Sequence, residues 1–305
     1  MKVSLDYPVG GPSHDPQLLT RRGLAAVASA ADRLGFDAIA FTEHPAPSLK
    51  WLQNGGHHTL DLTSALAFCA AVTERIRLMT HLLVLPYHNP FAAAKALTTV
   101  DLLSDGRLTV VAGTGYLRSE FLALGVDFEQ RNARFDEALT VMRTLWSAGP
   151  EARSFDGPHF PGVGVAHLPA PAQAGGPPVL IGGNSALSRR RAASNQGWSP
   201  LLVPEEVATT SRTPALTLAS LPVHIAELRD RAAEAQGADA SITVQIQGLH
   251  NDVMRRADIS VEEHRDALGR LAEAGVDSVV LSPRCDSVAA ATDGLAAYAA
   301  TYLAG

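Results

Sequence analysis

Residues 76–112 read IRLMTHLLVLPYHNPFAAAKALTTVDLLSDGRLTVVA and contain the pattern that decides the fold. Two apolar runs, Ile76 to Val84 and Arg107 to Ala112, flank a stretch from Ala92 to Leu103 whose apolar side chains recur at helical spacing. Runs that are apolar throughout and rich in β-branched residues are typical of strands covered on both faces, as parallel strands are. The stretch therefore predicts a strand, a helix and a second strand parallel to the first.

The same alternation continues along the chain. The other predicted strands lie at residues 3–7, 37–42, 179–181, 198–203, 241–247 and 277–281. Eight strand–helix units in 305 residues fit a closed barrel better than an open sheet, which would leave apolar edge strands. We predict an α/β protein with the (β/α)8 TIM-barrel fold, forming one domain over residues 1–305, with an insertion between strands four and five.

Three loops are predicted to extend beyond the repeating units, at about residues 45–60, 150–176 and 201–221. The second is the insertion, with a short hairpin around Phe155 to Pro158. The third is marked by the turn-forming and small polar residues Pro204, Thr209, Thr210, Ser211 and Pro214. Loops of this kind decide specificity in barrel enzymes, so the sequence leaves the substrate open.

Composition excludes several classes of protein. The net charge of −6 argues against nucleic-acid binding, which needs a basic face. Two cysteines, Cys69 and Cys285, cannot form a disulfide framework and indicate a reducing compartment. The first residues lack a signal-peptide pattern, and no apolar run is long enough to cross a bilayer. We expect a cytoplasmic protein without nucleic-acid or membrane partners.

In such barrels the chemistry gathers at the carboxyl ends of the strands. Strand two ends in Thr42-Glu43-His44, where a carboxylate beside an imidazole can set its tautomer and support proton transfer. Strand three contains Thr80-His81-Leu82, and strand four ends in Gly113-Thr114-Gly115-Tyr116. Each of these segments also has a purely structural interpretation, as a satisfied polar residue at the barrel edge or a tight turn.

Strand five ends in Gly182-Gly183-Asn184-Ser185 at the start of a helix, where free backbone N–H groups can bind a phosphate. Arg189 to Arg191 follow; an ordinary capped turn is the equally weighted alternative. Strand six contributes Trp198. In strand seven, Thr243, Gln245 and Gln247 alternate with apolar residues, and Gln247 reaches the cavity mouth if the polar set faces inward.

The sequence contains no motif of a metal site or of a serine nucleophile. His57 and His58 are adjacent, which points their rings apart, and the sequence has no H-x-E, C-x-x-C or G-x-S-x-G spacing. We therefore predict no metal site. Polar strand ends, a phosphate cradle and few acid–base groups fit a site in which a bound cofactor carries the chemistry.

Four stretches, Ala31 to His44, Leu83 to Pro90, Asp101 to Gly115 and Pro178 to Ser185, carry a family resemblance in their order and spacing. They resemble the bacterial luciferase-like flavin and deazaflavin oxidoreductases, the luciferase-like monooxygenase family. The runs Gly55-Gly56-His57-His58 and Pro86-Tyr87-His88-Asn89-Pro90 are similar to the actinobacterial branch that uses the deazaflavin coenzyme F420.

The resemblance implies a homodimer whose cofactor ring lies across the barrel mouth, near Glu43 and His44. It implies a bulge at Thr80-His81-Leu82, where the family often has a non-proline cis peptide. The cofactor-binding residues that it implies are Thr80, His81, Gly113, Thr114, Gly115, Gly182, Gly183, Asn184, Ser185 and Trp198. Arginines that could meet an acidic coenzyme tail are Arg118, Arg131, Arg189, Arg190 and Arg191.

Two departures from the family argue against sugar-phosphate dehydrogenation. Members with that activity carry an acid directly after the G-x-G of strand four, where this chain has Tyr116. Their tryptophan close to the strand-two acid–histidine pair is displaced here to Trp51. Luciferases carry Glu-His-His, whereas Pro45 follows His44, so light emission is not expected.

The leading hypothesis is an F420-dependent oxidoreductase that transfers a hydride between the coenzyme and a small organic substrate. His44 would be the proton donor or acceptor, with Glu43 and Tyr116 as further catalytic residues. A reduced-FMN monooxygenase is the alternative, because both ligands present a tricyclic ring and a phosphate. A non-catalytic flavin-binding protein and an unrelated phosphate-binding lyase are further hypotheses; the lyase would need a lysine or paired carboxylates at the strand ends.

Overall fold

The computed structural model describes residues 1–9, 14–205, 208 and 213–303. Strands and helices of this part of the chain follow one another as β1 (Lys2–Asp6), α1 (Arg21–Leu34), β2 (Ala38–Phe41), α2 (Leu49–Gln53), α3 (Leu62–Val72), β3 (Arg77–Val84), α4 (Pro90–Leu103), β4 (Leu108–Gly113), α5 (Arg118–Ala123), α6 (Arg131–Ser147), β5 (Arg153–Phe155), β6 (Gly162–Val165), β7 (Val179–Gly182), α7 (Ala186–Ala192), β8 (Gly197–Ser199), α8 (Leu221–Gln236), β9 (Thr243–Gln247), α9 (Val261–Glu273), β10 (Ser278–Leu281) and α10 (Val288–Tyr302).

Eight of these strands close into a barrel in the order β1, β10, β9, β8, β7, β4, β3, β2. Pairing is parallel, for example between β1 and β10 and between β3 and β4. Strands β2, β4, β7 and β10 are buried along their whole length, as expected for strands covered on both faces. The predicted (β/α)8 barrel is confirmed, with each barrel strand within a few residues of its predicted position.

The chain divides into two compact units, which are described separately. Unit 1 contains Met1–Pro8, His14–Ala40 and the described residues from Pro178 onward. Unit 2 contains Val9 and Phe41–Pro177. The prediction of a single domain over residues 1–305 stays a prediction.

In unit 1, helix α1 follows the predicted pattern. The Thr20 side chain accepts a hydrogen bond from the Gly23 N–H at the start of the helix, and Val27 and Ala31 are fully buried on one face. Gly35 ends the helix with φ +85°, a left-handed conformation that glycine adopts without strain. Helix α1 packs against α10. The predicted end of this helix is therefore confirmed.

Polar side chains of β9 also belong to unit 1. Gln245 is buried and donates to the Ser199 hydroxyl on β8 at 3.2 Å. Gln247 donates to Asp6 of β1 at 2.7 Å, although β10 lies between β9 and β1. A side chain of β9 can reach β1 past β10 only through the barrel interior. The side chains of Gln245 and Gln247 therefore face inward.

In unit 2, β3 is irregular where the resemblance implies a bulge. The register between β3 and β4 shifts between Thr80 and Leu83, and the peptide bond between His81 and Leu82 is cis. The Leu82 side chain comes so close to Gly113 that a Cβ atom there would lie 2.7 Å from it. The absence of a side chain at Gly113 thus leaves the space that Leu82 of the bulge occupies.

The insertion between β4 and β7 contains the predicted hairpin, with β5 and β6 paired antiparallel. It is attached to α4 by polar contacts. The hydroxyl of buried Thr98 lies 2.9 Å from His167 Nε2, and the carboxylate of Asp101 accepts from the backbone and side-chain N–H groups of Gln173. The Lys95 ammonium donates to the Leu168 carbonyl.

The structure describes the first predicted loop, residues 45–60, in full and the third, residues 201–221, only in part. Residues 45–60 contain the short helix α2, which the sequence analysis did not predict; its only local signal is the Ser48 side chain, which accepts from the Trp51 N–H. In the third loop, Thr209, Thr210 and Ser211 lie outside the described residues. None of the described helices is long and apolar enough to cross a membrane.

Candidate active site

In unit 2, His44 is paired with a carboxylate from another part of the chain. Its buried ring has Nδ1 at 3.2 Å from Glu120 Oε2, and Glu120 is fully buried on α5. The adjacent Glu43 is bound elsewhere, although the sequence suggested that it would set the tautomer of His44. Successive side chains of an extended segment point in opposite directions, which accounts for the difference.

The Glu120 carboxylate accepts from two further donors. The Ala46 N–H lies 3.2 Å from Oε1, and the Tyr87 hydroxyl lies 3.0 Å from Oε2. Burial, together with the charge and hydrogen bond of Glu120, raises the pKa of Tyr87 far above its usual range, so this hydroxyl stays a neutral donor. Three donors stabilise Glu120 as a buried carboxylate.

This arrangement fixes the tautomer of His44. An ionised carboxylate only accepts hydrogen bonds, so the proton of a neutral His44 lies on Nδ1, facing Glu120. The lone pair then lies on Nε2, which can accept a proton from a bound molecule. When His44 becomes protonated, Glu120 stabilises the resulting positive charge. The pair is chemically suited to general acid–base catalysis.

Aromatic side chains surround His44. The ring centroids of Trp51, His57 and Tyr116 lie 4.4, 5.0 and 6.2 Å from that of His44. Trp51 belongs to α2, and a Cβ atom at Gly56 would lie 2.3 Å from its indole ring, so glycine permits this packing. The predicted catalytic residue Tyr116 therefore lies near His44, while its side chain remains largely exposed.

Glu43 forms a second carboxylate–histidine pair. Its Oε1 lies 2.7 Å from His88 Nε2, and its Oε2 accepts from the Val84 N–H at 2.6 Å. Burial lowers the pKa of His88, but the hydrogen bond and charge of Glu43, with the charge of Asp61, outweigh it and raise that pKa above its usual value. His88 with Glu43 is thus a pair of the same kind as His44 with Glu120.

Three predicted cofactor-binding residues of unit 2 have contacts within the protein. The buried Thr80 hydroxyl donates to the Val111 carbonyl and accepts from its N–H, at 2.7 and 2.8 Å, which ties β3 to β4. Gly115 has φ +73°, and a Cβ atom there would lie 2.5 Å from Val84 Cγ1. Local packing thus already requires glycine at positions 113 and 115. The cofactor roles of Thr80, His81, Gly113, Thr114 and Gly115 stay predictions.

In unit 1, the turn after β7 is shaped by Gly183, whose φ of +100° favours glycine. Its carbonyl accepts from the indole N–H of fully buried Trp198 at 2.8 Å. Ser185 caps α7 by accepting from the Ser188 N–H. The backbone N–H groups of residues 184–187 find no acceptor among the described residues. These free donors fit an anion. That Gly182, Gly183, Asn184 and Ser185 bind the cofactor stays a prediction.

The Asn184 side chain has an internal role. Its Nδ2 donates to the carbonyls of Leu201 and Pro214 at 2.7 and 2.9 Å, and its Oδ1 accepts from the Leu201 N–H at 3.0 Å. With these three hydrogen bonds the buried Asn184 side chain holds the segment after β8 against the turn. Its backbone N–H stays available to a ligand.

We expect the variant Asn184→Ala to lower the free energy of unfolding by about 2–3 kcal/mol, because it leaves the Leu201 N–H and two carbonyls without their partner. Urea denaturation measures this difference. Asn54→Ala is the control; the exposed Asn54 side chain donates to the Lys50 carbonyl within its own helix end, so a change within about 0.5 kcal/mol is expected. Equal stability of wild type and Asn184→Ala would contradict the role assigned to this side chain.

The arginines proposed for the coenzyme tail are partly engaged. Arg118 pairs with Glu129 at 2.8 Å, and both Arg118 and Arg131 lie over the Phe128 ring, 4.0 and 3.8 Å from its centre. In unit 1, Arg189 donates to the Asn184 carbonyl at 2.9 Å, while its buried Nε has no hydrogen-bond partner. Across the described residues, no three His, Cys, Asp or Glu side chains are grouped as metal ligands.

Known proteins match this chain over much of its length. The family model for luciferase-like monooxygenases matches residues 2–248. The F420-dependent glucose-6-phosphate dehydrogenase of Kribbella flavida is 33% identical over 170 residues, 53% of this chain and 47% of that protein. The Rhodococcus erythropolis protein of the same name is 31% identical over 207 residues, 65% and 56% of the two chains. The chain thus spans about half the length of the curated relatives it matches.

Solved structures share the fold at lower identity. Monooxygenase RslO1 from Streptomyces bottropensis superposes with a TM-score of 0.79 at 23% identity, covering 99% of both chains. An F420-dependent secondary alcohol dehydrogenase, solved with an F420-acetone adduct, superposes with a TM-score of 0.76 at 15% identity over 99% and 98% of the two chains. From the barrel and the match over residues 2–248, the chain belongs to the luciferase-like monooxygenase family, a family of oxidoreductase enzymes.

Proposed function

We propose that this chain is an F420-dependent oxidoreductase that transfers a hydride between the coenzyme and a small alcohol or the corresponding carbonyl compound. The observation that carries the proposal is the buried pair of His44 and Glu120, 3.2 Å apart. Relatives named as F420-dependent dehydrogenases, at 31–33% identity, support the choice of coenzyme.

The residues present fit such a coenzyme in each unit. In unit 1, the free N–H groups of residues 184–187 and the glycine turn would hold the phosphate, with Arg189 nearby. In unit 2, the bulge around His81 and the turn from Gly113 to Gly115 would contact the ring. Bound F420 would supply the ring carbon that accepts or donates the hydride.

His44 and its neighbours have separable roles in this proposal. The Nε2 atom of His44 takes the hydroxyl proton when an alcohol is oxidised, or returns it when a carbonyl is reduced. Glu120 keeps Nδ1 protonated and stabilises the imidazolium, and Tyr87 keeps Glu120 in place. Trp51 and His57 cover the ring of His44, which limits the access of water.

The structure brings an acid and a tryptophan to His44 from other positions in the sequence, which weakens the two arguments against sugar-phosphate oxidation. An acid lies beside His44, because α5 brings Glu120 there four positions after Tyr116. A tryptophan also packs on His44, because α2 brings Trp51 to it. We therefore keep a phosphorylated sugar among the candidate substrates and include it in the test.

The function is tested by offering the purified protein F420 with a panel of alcohols that includes glucose 6-phosphate. We expect at least one alcohol to reduce the coenzyme, followed as loss of its fluorescence, without oxygen uptake. The same panel is offered with reduced FMN and oxygen. Oxygen-dependent product with FMN, and none with F420, would instead establish the monooxygenase alternative. Light scattering tests the homodimer, which also stays a prediction.

A further inference from the structure

A chain of contacts in unit 2 begins at His88, a residue that the sequence analysis did not select. His88 Nε2 lies 2.7 Å from Glu43 Oε1, and the other oxygen of Glu43 accepts from the N–H of Val84, the last residue of β3, at 2.6 Å. Glu43 is buried, while the His88 side chain is 35% exposed. His88 can therefore exchange protons with solvent and still act on a buried carboxylate.

The contacts continue from Val84 to the turn after β4. Val84 Cγ1 lies where a Cβ atom on Gly115 would be only 2.5 Å away, and Leu82 occupies the equivalent space beside Gly113. Tyr116, which follows Gly115, lies against His44 with ring centres 6.2 Å apart. The end of β3 thus packs against Gly113 through Leu82 and against Gly115 through Val84.

We propose that His88 is a positioning residue which, when protonated, holds the Glu43 side chain in its contact with the Val84 N–H and thereby keeps the turn of residues 113–116 in the arrangement that binds the F420 ring. This inference rests on the proposed function. It adds a pH dependence of coenzyme binding that comes from His88 and not from His44. A charge-assisted hydrogen bond is about twice as strong as a neutral one, so loss of the proton weakens the contact.

The groups around His88 give the direction of the effect. Glu43 faces it from the segment after β2, Asp61 acts on it from the cap of α3, and its neighbour Tyr87 is directed to Glu120. Glu43 and Asp61 favour the protonated form and raise the pKa of His88 above 6.5 against the effect of burial. The stabilisation is complete below pH 6.5 and is lost as the pH rises through the raised pKa.

The experiment measures two quantities between about pH 6 and about pH 9, a range that brackets histidine titration. One is the Kd for F420, by fluorescence; the other is the midpoint of thermal unfolding without coenzyme. For wild type we expect the affinity to fall by about 3- to 10-fold across the range, at the lower end of the coupling usual between two sites. The unfolding midpoint should fall in the same range.

His88→Gln keeps a hydrogen-bond donor but cannot titrate, so both quantities should lose this pH dependence, with the Kd near the high-pH value of wild type. Glu43→Gln should remove the same pH dependence. This second variant provides the test if His88→Gln folds poorly. His224→Gln is the matched control, because His224 also faces a glutamate, Glu227, at 3.8 Å in unit 1. It should retain the wild-type pH dependence.

Two outcomes would overturn the inference: a wild-type Kd that does not vary with pH, or a pH dependence that persists in both His88→Gln and Glu43→Gln. These outcomes differ from a failure of the proposed function, in which wild type binds no F420 at any pH. In that case the unfolding midpoint of the coenzyme-free protein still tests the link between His88 and Glu43. An unchanged pH dependence of that midpoint in both variants would then refute the link.

Discussion

His44→Ala should turn over about 10² to 10⁴ times more slowly than wild type, which is the range for loss of a general acid–base group. The variant removes the imidazole that Glu120 orients, whereas the proposed phosphate contacts are backbone N–H groups of another segment. Its affinity for F420 should therefore stay within about threefold. Steady-state turnover with the substrate found in the panel, together with fluorescence titration of the coenzyme, measures both quantities.

His57→Ala is the comparison variant, because its ring lies against that of His44, with ring centres 5.0 Å apart. Loss of packing alone should lower turnover by less than about tenfold. Wild-type turnover in His44→Ala would remove this residue from the chemistry. A comparable loss of turnover in His57→Ala would show that packing around the ring is what matters.

Glu120→Gln should lower turnover by about 10² to 10⁴-fold, the scale seen when the carboxylate that orients a catalytic histidine is neutralised. The amide can present its NH₂ group to His44, which would favour the wrong tautomer. Binding of F420 should change little, since Glu120 bonds His44, Ala46 and Tyr87. The measurement is turnover at saturating coenzyme, with circular dichroism to confirm folding.

Glu129→Gln provides the comparison for a nearby carboxylate that is exposed and paired with Arg118. Neutralising it should leave turnover within about twofold, since exposed pairs contribute little. If Glu120→Gln kept full turnover while His44→Ala lost it, Glu120 would hold the structure of the site without a role in its proton transfer.

The barrel could be predicted because its signals are local. The apolar run of Ile76 to Val84, the helical spacing from Ala92 to Leu103 and the glycine after Leu34 each report on their own neighbourhood. The structure places β3, α4 and the end of α1 within two residues of these predictions. Eight such units can bury every strand on both faces in few ways, and this favours a sheet that closes into a barrel.

The central acid of the site could not be found in this way. The resemblance directs attention to the position directly after Gly115, where Tyr116 stands, and Glu120 lies four residues later on a short helix. Only the direction of α5 turns that side chain toward His44. The place of Trp51 could not be predicted for the same reason, because α2 lies in a segment that the sequence predicts to be a loop. Partners separated by 76 residues depend on tertiary packing, which spacing does not encode.

Prediction was also limited where one residue type serves two purposes. Asn184 fits a ligand-binding turn, yet its side chain is used to hold Leu201 and Pro214. Thr80 is predicted to bind the cofactor, which stays a prediction, and its hydroxyl also joins β3 to β4. Sequence identifies such positions as polar and buried; the partner that satisfies the polar group is known only from the packed structure.

The most direct test of the proposed coenzyme is a binding titration of the purified protein with F420 and, separately, with FMN. We expect saturable binding of F420, at a Kd at least about tenfold lower than that for FMN. Tight binding of FMN, with no response to F420 at any concentration tested, would contradict the proposed function.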